Sequence, residues 1–164
     1  MLQKKICMLG GFAVGKTSLV RRFVHSIFSE NYLTTVGVKI DKKSVAFPDK
    51  TVDLILWDLA GEDDIGSFRV RYVRGATGLV LVVDGTRPAT LAVALTLRER
   101  CEAEFGAMPC ILLFNKSDLT DRWAISEGEI DELKQRGWQI YLTSALSGEH
   151  VDDAFRQLAS MVAK

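Results

Sequence analysis

The sequence is short of the residues that build chemistry from thiols, imidazoles or surplus charge. Its 164 residues include three cysteines, three prolines and two histidines. Cys7, Cys101 and Cys110 are odd in number and lack metal-ligand spacing, which excludes a disulfide framework and a zinc-finger pattern. Cys7 and Cys110 lie inside apolar runs, so buried free thiols are expected, as suits a reducing, cytoplasmic compartment. His25 and His150 have no visible partner and are expected at the surface. Neither charge dominates: Lys+Arg and Asp+Glu each number 21. That balance gives no electrostatic reason to expect nucleic acid or an anionic membrane as a partner. The apolar segment 6–14 is too short to span a bilayer. Residues 160–164 hold no cysteine for a prenyl group, and position 2 is Leu where myristoylation needs glycine, so no membrane anchor is expected. Low-complexity linkers and internal repeats are absent, which predicts one domain over residues 1–164.

What is present is an alternation of two periods. Residues 5–9 read as a strand, and 16–25 as a helix with Leu19, Val20, Phe23 and Val24 on one side. Residues 38–47 read as a more polar edge strand that turns at Pro48-Asp49-Lys50 into a strand over 52–57, an antiparallel hairpin. The unbroken apolar run 78–83 predicts a strand buried on both faces. Leu91, Ala94, Leu95, Arg98, Cys101 and Phe105 have helical spacing, and 110–114 reads as the next strand. Ser126 and Glu129 form a capping box opening a helix to about residue 136. Residues 138–142 are the last strand. Val151, Ala154, Phe155, Leu158, Ala159 and Val162 stripe a final helix. The expectation is an α/β fold: a mostly parallel six-stranded sheet with one antiparallel edge hairpin strand and helices on both faces. Ligands of such sheets bind beyond the carboxyl ends of the strands.

Four motifs stand at those ends. Gly10-Gly11-Phe12-Ala13-Val14-Gly15-Lys16-Thr17 matches G-x-x-x-x-G-K-[ST], a loop whose backbone N–H groups cradle phosphate. Within it Gly10, Ala13, Val14, Gly15 and the following Ser18 are candidate phosphate contacts. Lys16 is expected to reach the β- and γ-phosphates, and the Thr17 hydroxyl to bind Mg²⁺. In Asp58-Leu59-Ala60-Gly61, Asp58 offers a carboxylate to the metal shell and Gly61 an N–H to a terminal phosphate. In Asn115-Lys116-Ser117-Asp118, the Asp118 carboxylate can accept two hydrogen bonds from guanine, a donor pair that adenine lacks. The Lys116 stem can lie across the base. In Thr143-Ser144-Ala145, the Ala145 N–H can meet the guanine carbonyl.

With these motifs the chain resembles, over essentially its whole length, the Ras superfamily of small GTPases. The resemblance implies a P-loop NTPase G domain that binds GTP or GDP with Mg²⁺ and switches between two states. Trp57-Asp58-Leu59-Ala60-Gly61 is similar to the W-D-T-A-G stretch of the Rab and Rho branches. Tyr32-Leu33-Thr34-Thr35-Val36-Gly37 is similar to the first switch. The resemblance implies Thr35 as a second hydroxyl on Mg²⁺ and as a catalytic residue beside Lys16 and Gly61. It places Phe28 against the guanine edge, and Ser144, Ala145 and Leu146 in a Rho-like base loop. Effector and regulatory proteins are expected to read about 28–38 and 58–75, where Arg69, Arg71 and Arg74 form a solvated, partner-facing surface. Two positions depart from the family's pattern. Glu62 stands where the water-orienting catalytic glutamine is found. Phe12 stands where relatives carry a small residue. The departures predict slow GTP hydrolysis. The alternative is a pseudo-GTPase, a nucleotide-stabilised interaction module that does not cycle.

Overall fold

The structure, a computed structural model, describes residues 2–24, 32–33, 38–59 and 70–164. The described strands are β1 (Leu2–Gly10), β2 (Tyr32–Leu33), β3 (Lys39–Ala46), β4 (Thr51–Asp58), β5 (Gly78–Asp84), β6 (Cys110–Asn115) and β7 (Gln139–Leu142). The described helices are α1 (Lys16–Val24), α2 (Ala89–Phe105), α3 (Glu127–Gln135) and α4 (Val151–Val162). The strands form one sheet in the order β2-β3-β4-β1-β5-β6-β7. The β1–β4, β1–β5, β5–β6 and β6–β7 pairs are parallel, while β3 and β4 are antiparallel. The six strands expected from the sequence are present, and the two-residue β2 adds a short antiparallel pairing beyond β3 through Tyr32↔Ile40 and Leu33↔Lys39. Two residues carry no alternation, so the sequence pattern gives no sign of β2.

The strand period of two divides the interior between two cores. On one face Ile6, Met8, Val80, Val82 and Ile111 meet α1 and α4. Phe23 and Phe155 stack there with centroids 4.3 Å apart. On the other face Cys7, Leu79, Leu81, Val83 and Phe114 meet α2 and α3. All three cysteines are buried, and all three belong to this second core. Along α2 the buried residues are Thr90, Ala94, Leu97 and Cys101. Leu97 therefore replaces the expected Leu95 on that face, because both fit a helical stripe and only packing selects between them. The Ser126 capping box forms as expected: Ser126 Oγ accepts from Glu129 N–H at 3.1 Å, and Glu129 Oε2 accepts from Ser126 N–H at 3.1 Å. His150 is exposed as expected, but it does have a partner. Its Nδ1 lies 2.8 Å from the Leu142 carbonyl, with the backbone in the left-handed region at φ 57°. His25 lies outside the described residues. Among the described residues no helix is long and apolar enough to cross a membrane.

Because β1, β4, β5, β6 and β7 run in one direction, Gly10, Asp58, Asp84, Asn115 and Leu142 end their strands on one side of the sheet. The loops that follow carry the candidate site.

Candidate functional site

Residues 10–15 link the end of β1 to α1, and two glycines make the link possible. A Cβ on Gly10 would stand 2.6 Å from the Val82 carbonyl oxygen, so only glycine lets the loop leave the sheet this close to β5. Gly15 has φ +102°, and a Cβ there would meet Asn115 Nδ2 at 2.2 Å. Ala13 also takes a positive φ, 59°. Such turns curl successive N–H groups toward an anion. The concavity is real: a cleft of about 490 Å³ is lined by residues 12–18 with Lys39, Asp58, Leu59 and Lys116. Lys16 is buried at its wall, while Phe12 is 65% exposed at its rim.

At one side of the cleft, Thr17 Oγ1 donates to Asp58 Oδ2 at 2.5 Å. Two oxygen donors, a hydroxyl from α1 and a carboxylate from β4, are thus held together at the cleft. Among the described residues no group of three or more His, Cys, Asp or Glu could hold a metal. The hydroxyl and carboxylate oxygens of Thr17 and Asp58 fit Mg²⁺, which takes one or two protein oxygens and completes its shell with water and substrate phosphate. When bound there, Mg²⁺ would neutralise charge on the phosphate oxygens. Thr35, Phe28, Gly61 and Glu62 lie outside the described residues, as does Arg69. Arg71 and Arg74 are exposed, as expected of solvated side chains.

The Asn115 motif is bound to the phosphate loop by its side chains. Asn115, 2% exposed, donates from Nδ2 to the Val14 carbonyl at 3.0 Å, and its Oδ1 accepts from Thr143 Oγ1 at 3.3 Å. Lys116 Nζ donates to the Ala13 carbonyl at 3.1 Å and to Asp84 Oδ2 at 2.8 Å. Asp118 accepts from Ser144 Oγ at 2.7 Å, so a buried hydroxyl orients an exposed carboxylate. That exposure limits how Asp118 can select a base: an unmet carboxylate is costly only once a base has covered it. Ala145 is half-buried and Leu146 is 79% exposed. Asp118, Ser144, Ala145 and Leu146 do not line the phosphate cleft; Lys116 is the member of the base motifs that does.

Three neighbours of the site carry no motif. Lys39 lines the cleft from β3. Arg87 pairs with Asp84 through Nε at 3.0 Å. Asp84, 1% exposed, also accepts from the Thr86 N–H and hydroxyl at 2.9 and 2.6 Å. Burial would raise its carboxyl pKa, but hydrogen bonds from Lys116, Thr86 and Arg87 outweigh burial and bring it down to about 2. One signal was available: Asp84 ends an apolar strand, as Asp58 and Asn115 do.

Comparison with known proteins follows the same lines. The Ras family model matches residues 5–164. The chain is 34% identical over 164 residues to Ras-related protein Rab-7L1 of Rattus norvegicus, covering 94% of this chain and 79% of that one. It is 32% identical over 167 residues to Ras-related protein Rab-32B of Dictyostelium discoideum, covering 96% and 64%. It is 31% identical over 160 residues to Ras-related protein Rab-10 of Caenorhabditis elegans, covering 96% and 80%.

Proposed function

The chain belongs to the Ras family and is a small GTPase of the molecular-switch type, and from that premise we propose that it binds GDP and GTP with Mg²⁺ and hydrolyses GTP slowly. The observation that carries the reading is the pair of hydrogen bonds from Asn115 and Lys116 to the Val14 and Ala13 carbonyls. They fasten a base-reading loop to a phosphate-reading loop, as one nucleotide held by both requires. Lys16 serves the β- and γ-phosphates, Thr17 and Asp58 the metal, and Asp118 the guanine edge, with Ala145 on the guanine carbonyl. Thr35 and Gly61 respond to the γ-phosphate, and partner proteins read about 28–38 and 58–75.

Slow turnover rests on two side chains. Glu62 puts a carboxylate, which the γ-phosphate repels, where a glutamine would orient water. Phe12 lies at the rim of the cleft, where it crowds water and any arginine supplied by a partner.

Competition for labelled GDP tests the first half. GTP should compete and ATP should not, and Asp118→Ala should weaken GDP binding at least about tenfold, the loss of a charged hydrogen-bond pair. Equal competition by ATP overturns the guanine reading. Single-turnover hydrolysis of preloaded GTP tests the second. The native rate should lie at or below about 10⁻⁴ s⁻¹. Glu62→Gln should raise it, and adding Phe12→Gly should open the approach further. A native rate above that of the double variant would make Glu62 a working catalytic group. Complete absence of turnover over hours would favour the non-cycling interaction module.

A further inference from the structure

Three consecutive carbonyls of the phosphate loop are each held by a side chain from another strand end. Asn115 Nδ2 donates to Val14 O and Lys116 Nζ to Ala13 O. The third donor belongs to no nucleotide motif: Arg87 Nη2 donates to Phe12 O. Arg87 is itself aimed by Asp84, whose Oδ2 accepts from both Arg87 Nε at 3.0 Å and Lys116 Nζ at 2.8 Å. The other oxygen of Asp84 is taken by the Thr86 N–H and hydroxyl. One buried carboxylate therefore sets two cations on two adjacent loop carbonyls.

A trans peptide unit is planar, and its C=O and the following N–H point in opposite directions. Holding the carbonyls of residues 12, 13 and 14 toward these donors turns the N–H groups of Ala13, Val14 and Gly15 away from them. Residues 12–18 and Lys116 line the cleft, whereas Arg87, Asp84 and Asn115 do not. The Ala13 and Gly15 N–H groups, opposite the carbonyls held by Arg87 and Asn115, are thus turned toward the side where the cleft lies. The left-handed backbone at Ala13 makes the restraint at residue 12 matter more. A non-glycine residue there is strained and persists only where neighbours hold it.

We propose that Arg87 is a positioning residue for the diphosphate: through its bond to the Phe12 carbonyl it presets the Ala13 N–H for a β-phosphate oxygen, with Asp84 as its anchor. The inference rests on the guanine-nucleotide reading above. Arg87 acts only through the loop and not by touching the nucleotide. A planar fork suits the task, because Nε and Nη2 reach the carboxylate and the carbonyl from one rigid group.

Equilibrium binding of GDP and of GMP by the full chain tests it, with Arg87→Ala and Arg87→Lys beside native protein. GMP shares the base and first phosphate but lacks the β-phosphate. Arg87→Ala should weaken GDP about tenfold, the loss of a charge-assisted hydrogen bond, and change GMP less than about twofold. Arg87→Lys keeps the charge but not the fork, and should fall between native and Ala for GDP. The ³¹P resonance of the β-phosphorus should move in Arg87→Ala while that of the α-phosphorus stays. Equal weakening of GDP and GMP, or unchanged affinity for both, overturns the proposal. If Arg87→Ala does not fold, Arg87→Lys decides alone: a GDP-selective loss supports the proposal and native-like values defeat it. Native protein that binds neither nucleotide overturns the parent reading, a result separate from any effect of the substitutions.

Discussion

Asp84 is a carboxylate whose environment can be weighed directly. Its carboxyl is drawn from the ordinary 3.8 to about 2. The folded chain therefore holds this proton less readily than the unfolded chain. The resulting stability is fully present above pH about 4 and is lost as pH falls through about 2, roughly 2 kcal/mol in all. Urea unfolding of native protein should accordingly show falling stability from pH 4 toward pH 2. Asp84→Asn should be less stable at neutral pH and flatter across that window. Asp53 also has a lowered carboxyl, through the Ser44 hydroxyl against its burial and with help from Lys42. It contributes in the same direction in both proteins and drops out of the difference. Parallel curves for the two proteins would show that Asp84 titrates alike folded and unfolded.

Elements divide into those that make the site and those that support it. Helix α3 belongs to the second kind. Its capping box satisfies orphan N–H groups of its first turn, and its buried Ile130 and Leu133 pack into the second core. Ser126→Ala should therefore cost about 1 kcal/mol of stability with no change in GDP affinity. Denaturant melts and a binding isotherm on the same preparation check both halves; a parallel loss of affinity would mean that α3 is coupled to the site. The elements were legible in the sequence where their signal was local. β5 reads as an unbroken apolar run because both its faces are buried, and the phosphate loop is one contiguous motif. Ser126 and Glu129 needed only a spacing of three. What was not legible depends on who meets whom across the fold. The choice of Leu97 over Leu95 is a phase set by packing. The partner of His150 is a carbonyl eight residues earlier on β7. Arg87 reaches Phe12 across 75 positions of sequence, and no pattern along the chain marks that contact. Asp118 is marked in the sequence by its motif, but its hydrogen bond from Ser144 needed the two loops side by side.

At the scale of the molecule, one sheet separates two cores that share no helix among the described residues. Helices α1 and α4 close the first, α2 and α3 the second. Only the second contains sulfur from cysteine, and it contains all of it. Burial pushes the thiols of Cys7 and Cys110 up to about 12 and that of Cys101 to about 11. At pH 8 such a thiol holds about a hundredfold to a thousandfold less thiolate than an exposed one, and thiolate is the form an alkylating reagent consumes. Labelling of the fully buried Cys7 and Cys101 with a maleimide should therefore wait for the α2 and α3 side to open, and its rate becomes a clock for that opening. Cys110 should react first, since it also lines a small cavity of about 230 Å³ beside Arg98 and Trp138. Mass spectrometry of timed samples would read the order residue by residue, and rapid modification of Cys7 in native protein would contradict it. Unfolding of the other core would leave no mark on this clock unless the two halves open together. The protein thus carries, without any engineered probe, a chemical test of whether its two sides melt as one unit or as two.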